Sequence, residues 1–386
     1  MINKICIITP GYPSEAKPYA YTFVDQLACA IADRGMKVSV IVPYDMLKEK
    51  KIGIYQWERE TPHNHNIHVI SPGALTLTTR KYGPFNFSLL SEKLFDHSVK
   101  RAIKKERIIP DLFYSHFLFP AGTCAAYLGS INQIPSVCTF GESSLWSIRE
   151  IGLNGARTRL MKLSGVIAVS TNNKNVLIKN QLVEQEKIIV IPNACNKDIF
   201  RPGDKNEARE KLGLPKNTII GIYNGAFTNA KGSLRVNEAA QKIDGLSMIY
   251  LGGGRDVPQG PNILYKGRVA HGDVATWLQA ADFFVLPTLE EGCCNAIIEA
   301  MSVGLPIITS DRPFNYDILD HESGFLVDPL DIKAIHEAMQ QLTNSEALRK
   351  EYGEASILKS ANLDIEDRAD RIIDYLNKVV ENYRKG

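Results

Sequence analysis

The 386-residue chain has no net charge to speak of, because 45 Lys and Arg stand against 43 Asp and Glu, for a formal +2. So even a balance excludes wholesale neutralisation of a phosphate backbone, and no nucleic acid is expected among its partners. Also missing is any apolar run approaching the roughly 18 to 20 residues that span a bilayer, and the opening Met1-Ile-Asn-Lys-Ile-Cys-Ile-Ile-Thr-Pro10 meets turn residues too early for a signal peptide. A cytoplasmic location is the expectation. Seven cysteines, at positions 6, 29, 124, 138, 195, 293 and 294, form no CxxC pair, so neither a zinc site nor a redox couple is indicated. GxGxxG and P-loop patterns are absent too, which argues against a dinucleotide-dependent dehydrogenase and an NTPase.

What is present is a repeating rhythm. Short β-branched runs, Ile5 to Thr9, Val38 to Val42, Leu112 to Ser115, Val137 to Phe140, Val166 to Ser170 and Ile188 to Ile191, alternate with helical patterns. After a turn-rich stretch from Pro192 to Asp204 the cycle restarts with Thr218 to Tyr223, Met248 to Leu251, Phe283 to Leu286 and Ile307 to Ser310. Such alternation predicts βαβ units and parallel sheets, hence two doubly wound α/β domains, 1–195 and 196–364. Residues 365–386 read as a C-terminal helix, with Ile365, Ala369, Ile372, Ile373, Leu376, Val379 and Val380 on one stripe that needs a surface to cover.

Chemistry concentrates between Phe283 and Ser310. The segment Pro287-Thr-Leu-Glu-Glu-Gly-Cys-Cys-Asn-Ala-Ile-Ile-Glu299 parses as a loop leaving a parallel strand and entering a helix over 296–303, with Asn295 as N-cap and Gly304 as terminator. A loop of this kind presents free backbone N–H groups and the positive end of a helix dipole, a setting for a diphosphate. Glu291 and Glu299 would flank it, although a glutamate early in a helix is by itself commonly a dipole partner. A second strand-loop-helix, Ile222-Tyr-Asn-Gly-Ala-Phe-Thr-Asn-Ala-Lys-Gly-Ser233, offers Lys231 where the first βα loop of a doubly wound domain binds phosphate.

With those residues in place, the segment Glu291 to Glu299 resembles the E-x7-E signature of retaining glycosyltransferases of family four, which have the GT-B architecture. Gly225-Ala-Phe-Thr-Asn-Ala-Lys-Gly232 is similar to the family's G-R-L-x-x-x-K-G loop, Gly267-Arg-Val269 to its base-binding turn, and Ala281 to Pro287 to the strand before the signature. In the first half, Ile8-Thr-Pro-Gly-Tyr-Pro13, Phe23 to Gly35 and Ser115-His-Phe-Leu-Phe-Pro-Ala-Gly122 resemble the opening strand, loop and helix and the histidine-bearing loop. The resemblance covers nearly the whole chain.

It implies two Rossmann-like domains facing a cleft, an acceptor-binding first domain, a donor-binding second domain and a C-terminal helix returning to the first. It further implies a nucleoside-diphosphate sugar as co-substrate, UDP favoured over GDP, no cofactor and no metal. Lys231, Glu291 and His116 would be catalytic: Lys231 neutralising the departing diphosphate, Glu291 orienting donor hydroxyls and His116 facing the donor sugar. Glu299 would hold the ribose, Arg268 and Val269 the base, and the backbone of Gly292, Cys293, Cys294 and Asn295 the diphosphate, with Gly225 and Gly11 completing the donor loops. The acceptor would be a glycan or a lipid-linked glycan. Alternatives are a nucleotide-sugar-binding subunit of the same fold without turnover and a sugar-nucleotide epimerase.

Departures from the pattern bear on the acceptor side above all. The family arginine is Ala226, the usual His-Gly is Phe140-Gly141, Asn-Gly-x-Asp is Asn193-Ala-Cys-Asn196, and the glycine pair of the first loop is missing around Ala20-Tyr21. Finally, residues 89–108 interleave Lys93, Lys100, Arg101, Lys104, Lys105 and Arg107 with Leu90, Leu94, Val99, Ile103 and Ile108. Such a helix suits a peripheral membrane contact or an ordinary solvated face.

Overall fold

The computed structural model describes residues 2–15, 17–18, 20–77, 81–82 and 85–385. Met1 and Gly386, the outer ends of the expected segments, lie outside them. The chain divides into two compact units, Met1–Ile191 with Glu366–Gly386, and Pro192–Ile365. The division falls at 191/192 and 365/366, a few residues from the expected 195/196 and 364/365. The physical reason is a pairing of the two connecting segments: the Cys195 N–H donates to the Leu363 carbonyl at 3.1 Å and the Ile365 N–H to the Cys195 carbonyl at 2.9 Å, which draws both segments into the second unit.

In the first unit the strands run in the order Ile188–Val190, Gly165–Ala168, Ser136–Phe140, Leu112–His116, Lys4–Ile8, Lys37–Ile41, Asn66–Ala74 and Tyr44–Asp45, all parallel. Ile5, Ile7, Ile8, Val38, Val40, Phe113 and Val137 are at most 1 % exposed, as expected of strands covered on both faces. Sequence order reverses on either side of Lys4–Ile8, whose neighbours are Lys37–Ile41 and Leu112–His116, so the unit's topological switch point lies at the carboxyl ends of Lys4–Ile8 and Leu112–His116. The strand Ile54–Glu60, antiparallel to Asn66–Ala74, was not among the expected runs. It is an edge strand whose alternation is broken by exposed Tyr55 and Gln56.

The tail forms the helix Ile365–Lys385 and belongs to this unit. Ala369, Ile372 and Leu376 are fully buried, and the Tyr375 hydroxyl donates to the Lys187 carbonyl at 2.6 Å. A Cβ on Gly165 would come within 2.4 Å of that hydroxyl, so the strand edge accepts the tyrosine only because glycine stands there. Arg34 binds Glu366 at 2.6 Å and Asp370 at 2.8 Å, fixing the helix start.

The basic helix runs Phe87–Lys105. Val99 is fully buried, and Ile103 and Ile108 pack on the same core, so these apolar residues, offered as part of one possible membrane face, face the sheet. Leu89, Leu90, Lys93, Lys100, Arg101 and Lys104 remain on the outside. No helix among the described residues is long and apolar enough to cross a membrane.

The second unit is a six-stranded parallel sheet in the order Ile263–Gly267, Leu246–Leu251, Ile219–Asn224, Phe283–Leu286, Ile307–Ser310 and Gly324–Val327. Its switch point lies between the neighbours Ile219–Asn224 and Phe283–Leu286, the two strands that feed the loops with Lys231 and Glu291. At their amino ends a buried pair holds them together. Asp282, 6 % exposed, accepts from the Ile220 N–H at 2.8 Å and from Arg209 at 2.6 Å. Arg209, 2 % exposed, donates its remaining N–H groups to the carbonyls of Ala280, Lys216 and Thr218. Such saturation is what makes a buried charge tolerable.

Candidate active site

Two loops meet at the switch point of the second unit. The first leaves Ile219–Asn224, passes Gly225 to Gly232 and enters the helix Ser233–Ala240, with Gly232 at φ 80° as the residue before the helix. The second leaves Phe283–Leu286 and enters the helix Asn295–Ser302. They are joined by the Leu289 N–H donating to the Ala230 carbonyl at 2.8 Å and by an ion pair between Lys231 Nζ and Glu291 Oε1. Burial pulls the Lys231 pKa down, but the Glu291 charge and hydrogen bond, with a contribution from Cys294, together outweigh it, and the ammonium is held above its ordinary value. Arg235, 9 % exposed, braces both loops by donating to the carbonyls of Asn229 at 2.8 Å and Pro287 at 3.0 Å.

The helix Asn295–Ser302 differs from expectation at its start. Cys294, extended at φ −84°, ψ 107°, occupies the N-cap position, and Asn295 is the first helical residue. No side chain caps this end, and Asn295 Oδ1 is buried without a hydrogen-bond partner. Asn295 cannot cap because it has already entered helical geometry, where its side chain no longer reaches back over the N2 and N3 amides. Free donors and an open dipole end therefore stay beside Lys231 and Glu291. Cys293 and Cys294 are buried, and burial pushes the Cys294 thiol well above its usual range, so it contributes backbone, not thiolate.

Glu299 lies in the second turn of that helix, 8 % exposed, with His271 Nε2 3.5 Å from its Oε1. The Glu299 carboxylate raises the His271 pKa against the opposing effect of burial, and the Phe200 ring packs edge-on against the imidazole. His271 was not singled out in the sequence; a histidine at a helix start gives no local signal of a partner 28 residues away. Gly304, at φ 87°, ends the helix region as its sequence position suggests.

Arg268 and Val269 follow the edge strand Ile263–Gly267, two strands from Ile219–Asn224 and so about 10 Å away at ordinary strand spacing. The Arg268 side chain lies across Gly253, where a Cβ would come within 2.8 Å of its Nε. Gly252, at φ 148°, has the Gly225 carbonyl oxygen 1.9 Å from where a Cβ would stand, so the loop of the neighbouring strand can seat Gly225 only against glycine. One unit thus brings together Lys231, Glu291, Gly292 to Asn295, Glu299 and Gly225, with Arg268 and Val269 along the same sheet edge. In the same unit as Ala226, where the family pattern has arginine, Arg235 is engaged as a brace and Arg255 is exposed, 3.7 Å from Asp256.

His116 and Gly11 belong to the first unit, at its switch point. His116 ends the strand Leu112–His116, is 2 % exposed and is packed edge-on by Phe23 and Tyr114. Burial, reinforced by the Arg368 charge, lowers its pKa to about 3, so the imidazole is neutral, and its Nε2 has no hydrogen-bond partner. Among the described residues no group of three or more His, Cys, Asp or Glu could hold a metal ion.

Two family models match the chain. Residues 204–359 match "Glycosyl transferases group 1" and residues 20–198 match "Glycosyltransferase Family 4". Between them the two models span most of the chain, which is a glycosyltransferase of the GT-B type. It is 25% identical over 377 residues, 91% of this chain and 92% of the relative, to the "Putative teichuronic acid biosynthesis glycosyltransferase TuaC" of Bacillus subtilis. Over a shorter stretch, 47% of this chain and 52% of the relative, it is 32% identical to the Escherichia coli "UDP-Gal:alpha-D-GlcNAc-diphosphoundecaprenol alpha-1,3-galactosyltransferase". Its fold matches sucrose-phosphate synthase from Thermosynechococcus elongatus at a TM-score of 0.78, with 20% identity over 98% of this chain and 100% of that one. Anabaena HepE in complex with UDP and glucose matches at 0.71, with 16% identity over 97% and 100%.

Proposed function

We propose that the protein transfers a sugar, with retention of anomeric configuration and without a metal, from a nucleoside-diphosphate sugar to a hydroxyl of a glycan or lipid-linked glycan in a bacterial-type surface polysaccharide. The observation that carries this reading is the joining of Lys231, Glu291 and an uncapped helix start at one switch point. A diphosphate arriving there exchanges the Lys231–Glu291 pairing for two better ones: the ammonium moves to phosphate oxygens, and the released carboxylate accepts from sugar hydroxyls. As the bond from the anomeric carbon to the phosphate oxygen breaks, negative charge grows on the leaving diphosphate, and Lys231 with the N–H groups of Gly292 to Asn295 stabilises it. Glu299, steadied by His271, accepts from the ribose hydroxyls, and the Arg268-Val269 turn takes the base. UDP is the favoured nucleotide, in keeping with relatives whose names carry a UDP-sugar or whose solved structures hold UDP.

The test is release of nucleoside diphosphate from a panel of UDP- and GDP-sugars with glycan acceptors. Turnover is expected to drop about a hundredfold or more in Glu291→Ala, and the anomeric configuration of the product decides retention. Tight nucleotide binding without turnover across the panel would point to a binding subunit, and appearance of an epimerised sugar nucleotide to an epimerase.

The outer face of the helix Phe87–Lys105 supports a peripheral contact with anionic lipid. Its cations border a cavity of about 350 Å³ lined by Lys93, Asp96, His97, Lys100, Tyr127 and Arg159. Since the apolar stripe faces the core, such contact would be electrostatic, with exposed Leu89 and Leu90 as its apolar part.

A further inference from the structure

Two aromatic residues in the first unit take backbone conformations that suit glycine. Tyr21, immediately before the helix Thr22–Asp33, has φ 56° and ψ 35°. Phe117, immediately after the strand Leu112–His116, has φ 72° and ψ 144°. Left-handed φ is strained for a side chain with a Cβ and rarer still for a bulky one, so these conformations persist only where the surroundings over-determine them. They are so determined. The Phe117 N–H donates to the Thr139 carbonyl at 2.9 Å, and its own carbonyl accepts from the Gly122 N–H at 2.9 Å. The Tyr21 carbonyl accepts from the Val24 N–H at 2.9 Å, and a Cβ on Gly11 would stand 2.2 Å from the Tyr21 ring, so the ring rests directly on the glycine backbone.

The consequence is a cluster of rings at the switch point. Tyr21 and Phe117 meet edge-on at 5.8 Å between centroids, and Phe23 stands 6.1 Å from Tyr21 and 6.0 Å from Phe117. Tyr21 is 36 % exposed, and Phe23 and Phe117 are partly buried, so these rings do not serve merely to fill the core. A glycine at position 21 would take this conformation without the strain that a tyrosine bears.

We infer that Tyr21 and Phe117 form a stacking platform for a pyranose ring of the acceptor. The inference rests on the proposed acceptor class. A pyranose presents a face of C–H groups whose hydrogens are weakly positive, complementary to the negative face of an aromatic ring. The histidine adds no charge beside the rings, because His116 next to Phe23 is an uncharged imidazole, and the helix Thr22–Asp33 starts at Tyr21 without a side-chain cap, so polar groups of a sugar find backbone N–H donors next to the ring.

The experiment uses the full chain and compares Tyr21→Gly, Tyr21→Phe and Phe117→Gly with the unsubstituted protein. Dissociation constants for methyl α-D-glucopyranoside and methyl N-acetyl-α-D-glucosaminide are taken from saturation-transfer NMR, with UDP affinity by calorimetry and Tm as controls. Tyr21→Gly is expected to weaken glycoside binding about five- to tenfold while Tm holds or rises and UDP affinity is unchanged. Tyr21→Phe should bind like the parent, and Phe117→Gly should weaken binding in the same way. Unchanged glycoside binding in Tyr21→Gly, or a parent protein that binds UDP but neither glycoside, overturns the platform. Loss of UDP binding in the parent strikes the donor assignment instead, and the glycoside titration still decides the platform.

Discussion

The two units share a topology and differ in what they place at its switch point. In the second unit the loops after the two central strands carry an ion pair, Lys231 with Glu291, a second carboxylate at Glu299 and a helix start without a cap. In the first, the corresponding loops carry Gly11, Tyr21, Phe23, Phe117 and a histidine held neutral. Both crevices therefore offer an uncapped helix start, to which the second adds an ion pair and the first adds aromatic rings. A parallel sheet opens a crevice wherever its strand order reverses, but side chains decide the ligand.

Removing the charge from the second crevice should have the largest effect. In Lys231→Ala, donor turnover is expected to fall about 10²- to 10³-fold, measured as nucleoside diphosphate release, with glycoside binding to the first unit unaltered. Loss of nucleotide turnover together with glycoside binding would break the division of roles.

Next comes the scaffold beneath that crevice. Arg209→Ala leaves Asp282 with Lys205 as its remaining cationic partner and should destabilise the second unit by about 3 kcal/mol, read from the urea midpoint. The conservative Arg209→Lys should restore only part, because one ammonium cannot reach the carbonyls of Ala280, Lys216 and Thr218 at once.

The buried titratable groups of the first unit can be tested by pH. Glu142, whose carboxylate accepts from the N–H groups of Leu118 at 2.7 Å and Gly141 at 3.2 Å, is raised by burial from 4.5 to about 7. A carboxyl raised on folding gives its stability fully below the unfolded value, so the contribution is expected to be lost as pH climbs from 4.5 to about 7. The buried imidazole works in the opposite sense: His116, lowered to about 3, contributes stability above 6.5 that is lost as pH falls. Urea midpoints of Glu142→Gln should lack the first trend and keep the second. Transfer by the parent protein should show no inflection near pH 6.5 that disappears in His116→Gln, since the group does not titrate there.

The smallest effect is expected on the outer helix. Replacing Lys93, Lys100, Arg101 and Lys104 by glutamate should abolish any co-sedimentation with phosphatidylglycerol vesicles at low salt while leaving turnover on a water-soluble acceptor unchanged.

Much of this was legible in the residue order because it is local. Runs such as Ile5 to Thr9 and Phe283 to Leu286 are strands in the structure, and Glu291 to Glu299 crosses from loop to helix because strand, turn residues and helix formers follow one another there. Periodicity also marked the stripe of the last helix. It left the covering of Val99, Ile103 and Ile108 open, since a pattern says that a helix has an apolar face and not which surface covers it. At Asn295 a good capping residue stands one position too late, a one-residue shift that cap statistics cannot resolve.

Other features depend on contacts between distant segments. The pairing of Lys231 with Glu291, His271 beside Glu299 and the meeting of Tyr21 with Phe117 each join residues from separate βα loops. The sequence by itself determined the parallel α/β class, the two units and the carboxylate-bearing helix, because short-range sterics and burial patterns set these. Only the tertiary structure decided which loops share a switch point, which charges are paired and which rings stay exposed, because strand order brings those groups together and no local preference encodes it.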